Sequence, residues 1–102
     1  MSRVKLTKLA RRDLQEIGDY IARDNRNAAL SFVQRLKRRC TALGQSPGVG
    51  RKRDELEPDL RSAAEGNYII FYRHRGNGIE VVRIIHGKMD IGKSAFVDPE
   101  SP

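Results

Sequence analysis

The sequence predicts an α+β fold: an N-terminal α-helical hairpin packed on one face of a small, mainly antiparallel sheet, in the order β-α-α-β-β-β. Three observations predict it. Residues 67–90 read NYIIFYRHRGNGIEVVRIIHGKMD, two apolar runs around a Gly-Asn-Gly centre, which is the pattern of a tight β-hairpin whose turn needs positive φ. Residues 8–43 carry two apolar stripes spaced by three and four, the period of paired amphipathic helices. The Ser46-Pro47-Gly48-Val49-Gly50 stretch separates the halves and reads as loop.

In chain order, Val4–Leu6 reads as a short strand running into Thr7, whose hydroxyl suits an N-cap. Ala10, Leu14, Ile17 and Ile21 form one stripe of a first helix, about Lys8 to Arg23. Arg11, Arg12, Asp13, Glu16 and Asp19 fall largely off that stripe. Asp24-Asn25-Arg26-Asn27 breaks the pattern, and Asn25 or Asn27 can cap a second helix, about Ala28 to Leu43. Its stripe is Ala29, Phe32, Leu36, Cys40 and Leu43, with Val33 beside it and Gly44 placed as a left-handed terminator. Its outer face carries Arg35, Lys37, Arg38 and Arg39.

Gln45 to Pro58 reads as loop. Leu60 to Ala64 begins another strand, and Gly66 turns the chain into the central hairpin, Asn67–His74 paired with Ile79–His86. An even-length loop at its tip would oppose odd positions to even ones. Tyr68, Ile70, Tyr72, Val81, Arg83 and Ile85 then share one face, and Ile69, Phe71, Arg73, Val82, Ile84 and His86 the other. Both faces are apolar, which is unusual for an antiparallel hairpin with one wet side. Two helices cover one face; beyond Asp90 only Ile91, Phe96 and Val97 offer a half-turn, so the second face is expected to await a partner. Residues 1–97 read as one domain, with 98–102 a fraying tail.

Composition narrows the function. The chain has 102 residues and net charge +7. Residues 1–43 hold eleven Lys/Arg against four Asp/Glu, whereas residues 44–102 hold nine of each. The entire excess lies on the helical half and should attract an acidic partner, nucleic acid or protein; the alternative is a solvated basic face. No apolar run approaches the roughly 20 residues of a membrane span. No signal peptide is legible, and a lone Cys40 on an apolar stripe fits a buried thiol in a reducing cytoplasm. Two His and one Cys on separate elements give no metal-ligand spacing, so no metal and no cofactor are expected. Gly48-Val49-Gly50 lacks the Gly-Lys-Ser/Thr of a phosphate loop.

One polar set remains on the sheet and its exit: Arg61, Tyr68, Tyr72, Arg73, Arg83, His86 and Lys88. Arg and Lys beside a His are able to cleave a phosphodiester, with His as acid or base and Arg neutralising developing charge. The alternative is structural: Arg73 pairs with Glu80 across the hairpin and His86 caps a strand end.

These residues together resemble the RelE/ParE toxin superfamily of type II toxin–antitoxin modules. The resemblance rests on Ala10…Asp13-Leu14…Ile17…Tyr20-Ile21 and Ala28-Ala29…Phe32 in the helices. It continues through Leu43…Pro47…Gly50-Arg51, Leu60-Arg61, Gly66…Phe71-Tyr72-Arg73 and Val82-Arg83-Ile84-Ile85-His86-Gly87-Lys88-Met89-Asp90. RelE-like members cleave messenger RNA on the ribosome, using basic residues on the sheet and an Arg and a Tyr after the last strand. Here Arg61 matches one basic position, but Met89-Asp90-Ile91 stands where the late Arg belongs, and no Tyr follows Tyr72. The Phe-Tyr-Arg strand end and the His-x-Lys-Met-Asp exit look like the ParE branch.

The resemblance therefore implies a cytoplasmic, non-enzymatic inhibitor of DNA gyrase. It further implies neutralisation by a cognate antitoxin with an acidic, apolar C-terminal segment, in a hetero-oligomer without membrane attachment or sequence-specific nucleic-acid binding. The alternative is a RelE-like ribosome-dependent endoribonuclease, whose catalytic candidates would be Arg61, Arg83, His86 and Lys88. The candidates for antitoxin or target contact are Arg35, Lys37, Arg38, Arg39, Arg61, Tyr72, Arg73, Arg83, His86, Lys88 and Met89.

Overall fold

The computed structural model describes residues 3–97; the tail at 98–102 lies outside them. Strand β1 (Val4–Leu6) leads into α1 (Lys8–Ala22) and α2 (Arg26–Gln45), followed by β2 (Arg51–Lys52), β3 (Leu60–Glu65), β4 (Tyr68–Arg75) and β5 (Gly78–His86). The five strands order as β1-β5-β4-β3-β2. All neighbours are antiparallel except β1 and β5, which run parallel with Val4 opposite Ile79. The fold is the expected α+β arrangement, with a short extra strand, β2, in the stretch read as loop.

Both helix starts behave as their sequences imply. Thr7 Oγ1 accepts from the Ala10 amide at 3.0 Å, and Asn25 Oδ1 accepts from the Ala28 amide at 3.0 Å, each satisfying an orphan donor. Gly44 does not end α2, which continues to Gln45. Its φ is not positive. A Cβ there would come 3.0 Å from Val4 Cγ2 and 3.3 Å from the Arg3 carbonyl, so this glycine serves the close approach of α2 to β1. The Ser46–Gly50 stretch is also more regular than expected: Pro47–Val49 forms a 3₁₀ turn before β2.

The hairpin turn is two residues, Gly76-Asn77, between the opposed pair Arg75 and Gly78. Of its glycines only Gly76 has positive φ, 57°. Gly78 instead lies against the Arg3 carbonyl, which a Cβ would approach to 1.8 Å. The even-loop register holds from the turn to Tyr72 opposite Val81, and then shifts, with Phe71 opposite Arg83 and Tyr68 opposite His86. Val82 is the additional residue of a β-bulge, and a bulge re-aims every side chain beyond it. Ile84 therefore joins Tyr68, Ile70, Tyr72, Ile79 and Val81 in the core beneath the helices. Ile85 joins Phe71 and Val82 on the opposite face. These two faces are exchanged relative to the sequence expectation for Ile84 and Ile85.

The opposite face is not left for a partner. Leu60, Phe71, Val82, Ile85 and Phe96 form a second buried cluster, flanked by Leu56, Ile69, Ile91 and Ala95. The cover comes from the loop before β3 and from a 3₁₀ turn at Lys93–Phe96, where Phe96 meets the Phe71 ring edge-on with centroids 5.1 Å apart. The surplus apolar face expected from sequence is thus largely covered by the chain's own loops.

Candidate functional site

The polar set read from the sheet divides among separate places: Arg61 and Tyr72 hold one turn, Arg73 and Arg83 pair with different carboxylates, Tyr68 lies against His86, and Lys88 is exposed. Tyr72 is fully buried. Its hydroxyl donates to the Pro47 carbonyl at 2.7 Å and accepts from the Gly50 amide at 2.9 Å. Burial pushes its pKa up, opposed by the Gly50 hydrogen bond and by Arg61 and Arg39. Arg61, its partner on β3, donates to the Gly50 carbonyl at 2.8 Å and the Gly48 carbonyl at 3.4 Å. These two side chains hold the 3₁₀ turn and the start of β2 against the sheet. That is a positioning arrangement, and it occupies the arginine that matched a ribonuclease position.

Arg73 does not pair with Glu80, although the two are register partners. It reaches Glu57 at 2.7 Å in the loop before β3, while Arg75 takes Glu80 at 2.7 Å. Side chains on a twisted strand pair with whichever carboxylate the neighbouring loop brings nearest.

Arg83 forms a bidentate pair with Asp13 on α1, Nε to Oδ2 at 2.7 Å and Nη2 to Oδ1 at 2.9 Å, and also donates to the Ala95 carbonyl. Asp13 is buried, 7% exposed, and its Oδ2 also accepts the Ile84 amide at 2.9 Å. The hydrogen bonds to Asp13 raise the Arg83 pKa, against the cost of burial. The physical reason is edge coverage: β1 ends at Leu6, so β5 would lose its partner beyond Val81. The Thr7 hydroxyl donates to the Val82 carbonyl at 2.7 Å, and Asp13 accepts from the Ile84 amide. Sequence periodicity placed Asp13 off the apolar stripe and so missed it.

His86 accepts the Lys88 amide on Nδ1 at 3.1 Å, closing the strand exit, and meets the Tyr68 ring edge-on at 5.1 Å. Lys88 and Met89 are exposed, Met89 at 61%. Among the described residues no three His, Cys, Asp or Glu side chains gather as a metal site.

The four clustered cations of α2, Arg35, Lys37, Arg38 and Arg39, point to different surroundings. Arg35 pairs with Glu65 at 2.7 Å, and Arg39 lies 3.9 Å from the same carboxylate. Arg38 is exposed. Lys37 lines a groove along the outside of the helical hairpin. That groove has a volume of about 630 Å³ and an apolar floor of Leu6, Leu14, Ala22, Ala29, Leu30 and Val33, with Arg11, Arg26 and Lys37 against one acid, Asp19, among its charged lining. Leu30 is 65% exposed. The usable sequence signal was Leu30 and Val33, apolar residues three apart beside the core stripe and followed four later by Lys37.

Among the described residues no helix is long and apolar enough to cross a membrane. A family model described as the ParE toxin of the type II toxin–antitoxin system parDE matches residues 4–91. The chain is 33% identical over 95 residues to Toxin ParE1 of Mycobacterium tuberculosis (strain CDC 1551 / Oshkosh), covering 91% of this chain and 97% of that one. It is 28% identical over 91 residues to Toxin ParE1 of Caulobacter vibrioides, covering 88% and 94%. A solved structure of the chromosomal ParDE TA system from P. aeruginosa superposes with TM-score 0.69 at 27% identity, over 81% of this chain and 92% of that one. The matched span runs from β1 through the exit of β5 and takes in the groove, the Tyr72 lock and the Asp13–Arg83 pair; the chain belongs to the ParE toxin family of type II toxin–antitoxin systems.

Proposed function

We propose that the chain acts without catalysis, inhibiting DNA gyrase, and is neutralised by a cognate antitoxin whose acidic, apolar segment lies in the groove outside α1 and α2. The observation that carries the non-catalytic reading is the commitment of the arginines. Arg61 is bound to backbone carbonyls and Arg83 to Asp13. His86 uses Nδ1 to accept a backbone amide. A phosphodiester cleavage site needs an acid–base group and a cation converging on one reacting atom, and these residues occupy separate places.

The groove supports the antitoxin reading in turn. Its apolar floor offers anchors to a helix face, and its net positive lining, three cations to the one acid Asp19, suits acidic flanks; such a segment folds on binding, offsetting its ordering entropy with buried area. Expression without antitoxin tests the target. Stabilised gyrase–DNA cleavage complexes and arrested replication are expected before translation fails. Ribosome-phased messenger cuts preceding any DNA-damage response would replace this reading with the endoribonuclease one.

A further inference from the structure

The chain has only three Phe, three Tyr and two His, yet Tyr20, Phe32, Tyr68 and His86 line one cavity of about 620 Å³. It lies between the last turns of α1, the first half of α2 and the turn joining β3 to β4, with Arg35 and Asn67 completing the wall. This is a different place from the outer helical groove. Tyr20 is 66% exposed, so its ring is mostly uncovered by protein. The Phe32 and Tyr68 centroids are 5.6 Å apart at 48°, and those of Tyr68 and His86 are 5.1 Å apart at 78°.

The polar groups have a pattern of their own. Arg35 stacks over Phe32 with Cζ 5.1 Å from the ring centroid. Its Nε and Nη2 hold Glu65 at 2.9 and 2.7 Å, which leaves Nη1 for another acceptor. Arg39 Nε lies 3.9 Å from the same carboxylate, so Glu65 is shared between two guanidiniums, and the lining itself holds Arg35 and no carboxylate. Because His86 Nδ1 accepts the Lys88 amide, the neutral ring carries its proton on Nε2, as a donor. Asn67 adds an amide able to donate and accept.

Aromatic faces beside donors, acceptors and a guanidinium match a planar ring with a polar edge and an attached anion. An aliphatic anchor would use the walls but leave Asn67 and Arg35 without a role. We propose that this cavity binds a nucleotide, with its base against Tyr20 and Tyr68 and its phosphate at Arg35. The nucleotide comes either free or as one unit of an unpaired strand. Stacking of this kind reads no base sequence, and the proposal does not depend on the gyrase reading.

The test titrates the isotopically labelled full chain with each of the four ribonucleoside monophosphates, and separately with short oligo-dT and oligo-U. The NMR shifts of Tyr20, Asn67, Tyr68 and His86 are followed. Shifts concentrated at these residues are expected. Tyr20→Ala should weaken binding roughly 5- to 150-fold, the range for losing one base–aromatic stack. Arg35→Gln should weaken monophosphates more than the matching nucleosides. Saturation by monophosphates identifies a free nucleotide as ligand; saturation by oligonucleotides alone identifies an unpaired strand. Tyr20 is exposed, so Tyr20→Ala should melt with the parent; if it does not, Arg35→Gln and the nucleoside comparison decide. No shifts with either ligand class, shifts elsewhere, or affinity unchanged by Arg35→Gln and by removal of the phosphate would each overturn the proposal.

Discussion

Asp13 Oδ2 accepts from Arg83 Nε at 2.7 Å across seventy residues of sequence, and the same oxygen accepts the Ile84 amide. One carboxylate thus joins α1 to the outer edge of β5, and through Arg83 to the 3₁₀ turn that covers the second face. Arg83→Met leaves Asp13 buried without its cation, a loss expected to cost about 3–5 kcal/mol. Adding Asp13→Leu should cost less than the sum of the two single changes, because the unpaired charge is gone, although the Ile84 amide still loses its acceptor. Urea denaturation of the four proteins in the cycle checks this; strict additivity would mean the pair is not coupled.

The Tyr72 hydroxyl and Gly50 form a second coupled pair. A Cβ on Gly50 would lie 2.1 Å from Tyr72 Oη, a distance that forces displacement. Gly50→Ala should therefore lower stability more than Tyr72→Phe, whose expected cost is about 1–3 kcal/mol for two buried backbone groups left unpaired. The double variant should be more stable than Gly50→Ala alone, since removing the hydroxyl opens space. Thermal melts measure it, and a double variant weaker than Gly50→Ala would contradict this geometry.

Cys40 makes stability depend on alkaline pH. Burial raises its thiol pKa from 9.0 to about 11, with Arg39 opposing. Below pH 9 the thiol is protonated in folded and unfolded chains alike. Between pH 9 and 11 the unfolded chain releases its proton first, so the folded state loses stability as pH rises, by up to about 2–3 kcal/mol. Tyr72, raised in the same direction, adds to the decline at higher pH. Cys40→Ala should remove the steepest part between pH 9 and 11 in pH-dependent urea unfolding. An unchanged slope would assign it to other groups.

The second face should contribute as a true core. Phe71 is fully buried and Phe96 is 9% exposed. Phe71→Ala is expected to cost about 3–5 kcal/mol, as cavity-forming changes in packed interiors do. Phe96→Ala should cost less and should raise amide exchange chiefly around Lys93–Phe96, the turn that Phe96 anchors. Hydrogen exchange distinguishes local loosening from global loss; a Phe71→Ala chain as stable as the parent would mean this face is not packed.

Charge at the outer groove should govern how fast antitoxin arrives. Arg26→Glu with Lys37→Glu should slow association and flatten its salt dependence, with little change in dissociation, because rim charges mainly steer encounter. Arg38→Glu, outside the groove, serves as the comparison. Stopped-flow kinetics against ionic strength provides the readout. An association rate no slower than that of Arg38→Glu would place the antitoxin elsewhere.

The two helices, their caps, the central hairpin and the chain's family were legible in the sequence. Each follows from local signals: Thr7 and Asn25 before apolar stripes, a Gly-Asn-Gly turn between β-rich runs, ordered motifs along the chain. Such signals act over a few residues, so one sequence states them completely. Burial of Cys40 was legible too, because its position on the stripe determines which way it faces.

What the tertiary structure decided was everything set by distant chain meeting distant chain. A single extra residue at Val82 exchanged the faces of Ile84 and Ile85, and no local pattern marks a bulge inside an unbroken apolar run. Arg73 chose Glu57 over Glu80, and Asp13 became buried, because loop and edge geometry brings charge partners together irrespective of helical period. The second face was expected to need a partner, yet the half-turn that Ile91 and Phe96 offered docks there and Leu56 reaches it from a loop whose sequence does not announce its packing, while Val97 stays exposed. The outer groove likewise exists only in the fold, where Leu6 of β1 and residues of α1 and α2 line one surface. Secondary structure is a short-range choice of backbone conformation; sites arise from long-range packing, where one residue's role depends on which remote residue stands opposite.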